Sequence, residues 1–187
     1  APEMELKLTN HIKSSLILLG AYLSVQIGWS IIAISMFDRV MDIPGWSYFL
    51  SSLVIIALII VIYTFSSNIA RKESKHYNPI KPYHLKGFVI FLPTLVIGII
   101  LALSFAAMRQ AAVSYGGLFT FVDLAFTVWN FTFIAFIDFE ILAIPIWVYM
   151  LMLGTGPIAS FFGYLAGMLG FSFLDEVTFK IMYKPKK

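Results

Sequence analysis

Four long stretches of this chain, Ser14 to Phe37, Ile43 to Ala70, Gly87 to Met108 and Ile141 to Leu174, contain no Asp, Glu, Lys or Arg. Each exceeds the roughly 20 apolar residues that a helix needs to cross ~30 Å of hydrocarbon. Inside a bilayer every backbone polar group must be satisfied internally, so such stretches form helices. The expected fold class is therefore all-α, a polytopic transmembrane helical bundle. With 60% hydrophobic and 12% charged residues among 187, the chain lacks the polar surface of a soluble domain. No polar stretch is long enough to enclose a second core, so residues 1–187 read as one membrane domain. Ala1 to Glu3 precede Met4 and are expected to be an appended remnant. The first apolar run is too long for a signal-peptide core and reads as an uncleaved span.

Charge sets the orientation. Arg71, Lys72, Lys75, Lys81 and Lys86 face only Glu73 in the connector between the second and third runs, which the positive-inside rule makes cytoplasmic. The N-terminus is then cytoplasmic, as are Lys180, Lys184, Lys186 and Lys187. The pI near 9.1 reflects these flanking residues, which suit anionic lipid headgroups rather than nucleic acid. The chain has no cysteine, which excludes disulfides, thiolate metal sites and thiol catalysis.

Cytoplasmic ends require an even number of crossings. Six is the preferred count, with Leu118 to Ile137 as the fourth span and a short pair split at Gly154, Thr155, Gly156 and Pro157, where consecutive glycines and proline favour a turn. The alternative has four spans, and part of Gly116 to Leu153 dips in and returns. Pro93 is expected to bend the third span.

Helices meet in lipid where small residues allow close backbone approach. Gly20, Ser24 and Gly28 in the first span, Gly98, Ala102 and Ala106 in the third, and Gly163 and Gly167 in the last repeat every four residues. They are expected to be helix-packing faces, within the bundle or in a homo-oligomer. The phenylalanines between Phe119 and Phe139 read as packing and lipid-facing side chains.

The strongest site candidate is one helical face carrying Thr120, Asp123, Thr127 and Asn130, spaced three, four and three apart and extended by Gly116. An ionisable group within a membrane is a functional hypothesis by default. A carboxylate with hydroxyl and amide oxygens at successive turns suits a cation or proton site, with the metal, if any, left open. The competing reading pairs Asp123 with Arg109 or leaves it partly hydrated. Tyr22, Gln26 and Ser30 form a second polar face, which could line the same cavity or supply a single interhelical hydrogen bond. Asp138 and Glu140 diverge on a helix and are read as anchors at its end.

His11, His76 and His84 lie in the flanks of the spans. No His-Glu-x-x-His, Gly-x-Ser-x-Gly or Walker-type pattern is present, so no enzyme activity and no cofactor are expected. The stretch from Tyr77-Asn78-Pro79 through Lys86-Gly87-Phe88 to Pro93 resembles a pattern in small multispanning membrane proteins of Gram-positive bacteria. The tail, from Gly163-Tyr164 through Gly167 and Gly170-Phe171 to Lys180-Ile181-Met182-Tyr183-Lys184, is similar to their C-termini. The resemblance implies a bacterial plasma-membrane setting and no particular activity. Two functions are then expected of the residues themselves. One is a transport component, as channel, carrier or membrane subunit, for an ion or small solute; the other is a non-catalytic accessory or regulatory protein bound to a larger membrane complex.

Overall fold

The computed structural model describes residues 2–40, 45–76, 78, 80–111, 119–136 and 144–171. Gly116, Asp138, Glu140 and the C-terminal lysines lie outside them. The described elements are α1 (Pro2–Val40), α2 (Trp46–Glu73), α3 (Lys86–Ala111), α4 (Phe119–Trp129), a 3₁₀ segment (Phe131–Phe136) and α5 (Ile146–Met168). Four of the helices are long and apolar enough to cross a membrane: Lys7–Ser35 within α1, Trp46–Glu73, Lys86–Met108 within α3, and Ile146–Met168. The fold is that of a multi-pass membrane protein.

α2 begins after Gly45, whose φ of +85° is open to glycine without the steric cost a Cβ would bring. Its last turn holds Arg71 and Lys72, placing positive charge where the helix dipole favours it. The aliphatic middle of α2 divides by face. Ile56, Ile59 and Ile60 are exposed, whereas Leu58 and Ile62 are fully buried.

The most extensive helix pair is α2 with α5. A Cβ on Gly163 would sit 2.3 Å from Tyr63 O, and one on Gly167 would sit 2.3 Å from Ser67 O. Only glycine permits that approach, and the matched numbering makes the two helices parallel. α5 runs antiparallel to α3, with Gly156 facing Phe91 and Gly87 facing Tyr164.

The expected break at Gly154 to Pro157 is not seen. α5 continues through all four residues, because the glycine there serves packing. A Cβ on Gly156 would meet the Phe91 ring at 2.2 Å. Pro157 removes one backbone donor, a loss that membrane helices tolerate when neighbouring groups compensate. α3 likewise continues through Pro93.

The six expected spans are also not seen among the described residues. The segment assigned as the fourth crossing forms an 11-residue helix and a six-residue 3₁₀ segment. At ~1.5 Å per residue, α4 is only about half the ~30 Å hydrocarbon thickness. Phe126 stacks on Phe105 of α3 with ring centroids 4.1 Å apart. Trp129 then reaches Tyr22 of α1, centroids 5.4 Å apart. The chain turns at Asn130, and Phe136 comes back to Tyr48 near the start of α2 and Trp147 near the start of α5. The segment thus enters and leaves the bundle from the same end, with its apex inside.

Candidate functional site

The turn at Asn130 exists because α4 stops there. Asn130 N–H still donates to Phe126 O at 3.0 Å, and Phe133 N–H donates to Asn130 O at 2.9 Å, tightening the path into the 3₁₀ segment. Such backbone is stable at membrane depth only where protein surrounds it or a polar cavity adjoins it. α1 supplies the surroundings. Gln26 Oε1 accepts the Thr132 N–H at 2.9 Å, and the Tyr22 hydroxyl donates to Trp129 O at 3.1 Å. The Asn130 amide donates to Phe126 O at 3.1 Å. Three side chains therefore hold an irregular backbone segment in the bundle interior.

Around this turn polar groups remain unpaired. Gln26, Thr94 and Thr132 are buried, yet Gln26 Nε2, Thr94 Oγ1 and Thr132 Oγ1 have no hydrogen-bond partner. An unsatisfied buried polar group costs ~1–3 kcal/mol, so three near one turn are an expensive cluster for purely structural purposes. Tyr22, Thr94, Gly98, Trp129 and Asn130 help line a small cavity with about 10 Å³ for the centre of a water molecule. That is space for one water. Of the three unpaired residues, Thr94 lines this cavity, and its hydroxyl offers a donor and acceptors.

Asp123 lies on α4 two turns before Asn130, on the same face. It is half-buried, and its Oδ1 is withdrawn from solvent without a partner. Thr127, between them, is half-buried. Thr120 occupies α4, and its side chain lies outside the described ones; the same holds for Arg109 on α3. Ser30 does not join the cluster, since its hydroxyl donates to Ile27 O at 2.7 Å.

The small-residue faces separate in space. Gly163 and Gly167 press on α2. Gly98 faces Trp129 and Leu153, and Ala102 is buried while Ala106 is half-buried. Gly20 and Gly28 have nothing within 4 Å of an added Cβ, and the Ser24 hydroxyl donates to Gly20 O. That face of α1 looks outward.

A second polar centre, absent from the sequence reading, lies at the opposite end of the bundle. Glu73 ends α2 and Lys86 begins α3, and both are buried. Lys86 Nζ donates to Glu73 Oε1 at 2.7 Å, and Asn10 Nδ2 donates to the same oxygen at 2.6 Å. The Tyr164 hydroxyl donates to Glu73 Oε2. One carboxylate therefore joins α1, α2, α3 and α5. Deeper in the same seam, Ser160 donates to Gly87 O at 2.6 Å. Ser66 and Ser160 hydroxyls lie 2.8 Å apart; because the Ser160 proton is committed to Gly87, Ser66 is the donor. Burial, and then the Glu73 charge, push the nearby Tyr83 phenol above its usual range.

The signal for this centre was present but ambiguous. Glu73 is a single acid within a basic connector, which reads equally well as a solvated charge. Among the described residues no three His, Asp or Glu side chains gather as a metal-binding set. Comparison with protein-family models, curated proteins and solved structures finds no match for this chain.

Proposed function

We propose that the protein is a membrane transport component that passes an ion or small solute by way of the Asn130 turn. The observation that carries this reading is the re-entrant segment itself, whose apex meets unpaired Gln26, Thr94 and Thr132 groups inside the bundle. Interrupted helices near the membrane midplane, with exposed backbone dipoles and polar side chains, are how many transporters build substrate sites. Asp123 on the approach supplies a negative charge that favours a cation or a proton. The proposed topology has four spans and one re-entrant segment. By the positive-inside rule, the basic residues at the Glu73 end favour cytoplasmic termini, with α4 entering from outside. The setting is a plasma membrane, and the resemblance noted in the sequence points to a bacterial one.

The test is uptake of Na⁺, K⁺, protons and glycerol into proteoliposomes. Flux of at least one should exceed that of protein-free vesicles and fall about tenfold or more in Asp123→Asn or Thr94→Val. Both variants are close in shape to the native residues and should leave insertion intact without lowering the melting temperature, since neither removes a hydrogen bond of the described side chains. Rates equal to protein-free vesicles for all four, or unaffected by both variants, would refute the transport reading.

A second reading is favoured by the outward Gly20, Ser24 and Gly28 face. A helix of a larger membrane partner could approach closely there, making the chain an accessory or regulatory subunit. Co-purification with a partner, lost in Gly20→Leu, distinguishes it.

A further inference from the structure

A groove of about 330 Å³ runs between α1 and α3 on the outside of the bundle. Its walls include His11, Ser15 and Leu19 on α1, and Val89, Leu92 and Pro93 on α3. Ser15 is small where its neighbours are large, which leaves the slot open. From His11 to Leu19 the wall rises about 12 Å, most of the ~15 Å of hydrocarbon in one leaflet. The branched side chains on both walls prevent the close backbone approach that a packed helix requires. The slot instead suits a single flexible hydrocarbon chain.

Exposed lysines lie beyond the His11 end of this groove. Lys7, His11, Ser15 and Leu19 succeed one another at four-residue steps and so form one ridge of α1. Lys7 is exposed one turn beyond His11. Lys13, Lys72 and Lys81 are exposed at the same end of the bundle. Glu73, whose charge reaches His11, is paired with Lys86. Among the residues whose side chains are described, Glu5 is an exposed acid at this end. The balance is positive where a lipid headgroup would lie, and Asn10, paired to Glu73, fixes this part of α1 against the bundle.

We propose that the groove is a site for one anionic phospholipid, with an acyl chain between Ser15 and Val89 and the phosphate beside Lys7 and His11. The site stands apart from the Asn130 turn and does not depend on the transport reading. It differs from general lipid contact in being a defined slot with exposed lysines beyond one end.

Native mass spectrometry of the full-length protein, after exchange into phosphatidylglycerol or phosphatidylcholine, tests the proposal. One phosphatidylglycerol should be retained about tenfold better than phosphatidylcholine. Ser15→Leu and Val89→Phe fill the slot from opposite walls and should each abolish retention of the tight lipid. Lys7→Gln should reduce the preference for the anionic lipid while a chain still binds. Because both filled positions are half-buried in an open groove rather than in the core, circular dichroism should show native helicity for at least one. Equal retention of the two lipids, retention unchanged in a folded filled variant, or a second copy of the protein occupying the groove would overturn the proposal.

Discussion

Lys86 Nζ lies 2.7 Å from Glu73 Oε1, and the two side chains are 0% and 3% exposed. The pair closes the α2–α3 connector into the bundle rather than leaving its charges in the headgroup region. Two further donors, from Asn10 and Tyr164, satisfy the carboxylate, the condition under which a buried ion pair can persist.

Removing one partner leaves the other charged and buried. Glu73→Ala should therefore destabilise the protein by ~3–5 kcal/mol, read as a lower melting temperature in detergent. The double variant Glu73→Met with Lys86→Met should recover most of that loss, since no uncompensated charge remains. A double variant as unstable as Glu73→Ala would show that the pair does not act as a unit.

Glycine positions should divide by what an added methyl meets. Gly163→Ala and Gly167→Ala force apart α2 and α5, costing ~1–3 kcal/mol each. Gly20→Ala and Gly28→Ala meet open space and should leave stability unchanged or raise it by up to ~1 kcal/mol. Melting curves of the four variants decide the matter, and equal effects at all four would contradict the described packing.

The Asn130 turn depends on α1. Gln26→Leu removes the acceptor for the Thr132 N–H and should cost ~1–3 kcal/mol. Ser30→Ala, one turn further along the same face, loses only a bond to its own helix and should be nearly neutral. If both variants melt alike, Gln26 does not anchor the turn.

Because the chain has no cysteine, single cysteines can report topology. With a re-entrant fourth segment, thiols placed at Tyr48, Phe121 and Trp147 should label from one side of the membrane and one at Lys81 from the other. A six-span chain would place position 147 midway along its short fifth span, out of reach of an impermeant reagent. Labelling of Trp147→Cys with an impermeant maleimide separates the two arrangements.

Much of the fold was legible in sequence because lipid imposes a strong, local demand. The charge-free runs correspond to α1, α2, α3 and α5, and the basic connector lies between α2 and α3. The face joining Asp123 to Asn130 was legible from spacing alone. Turn chemistry misled at Gly154 to Pro157, where Gly156 is needed by the Phe91 ring rather than by a bend. Length misled at Leu118 to Ile137: the residue count suffices for a span, but the chain reverses at Asn130. Nothing local to that segment encodes the Gln26 acceptor that fixes the reversal from 106 residues away.

The sequence by itself determined the apolar spans and the helical class, since each follows from composition or from short-range periodicity. Only the tertiary structure decided which polar groups find partners. Glu73 and Lys86 became a buried pair, Gly163 became a contact with Tyr63, and Gln26 became the support of a buried turn at Asn130. Those outcomes depend on contacts between distant segments, whose energies exist only after the helices have chosen their neighbours.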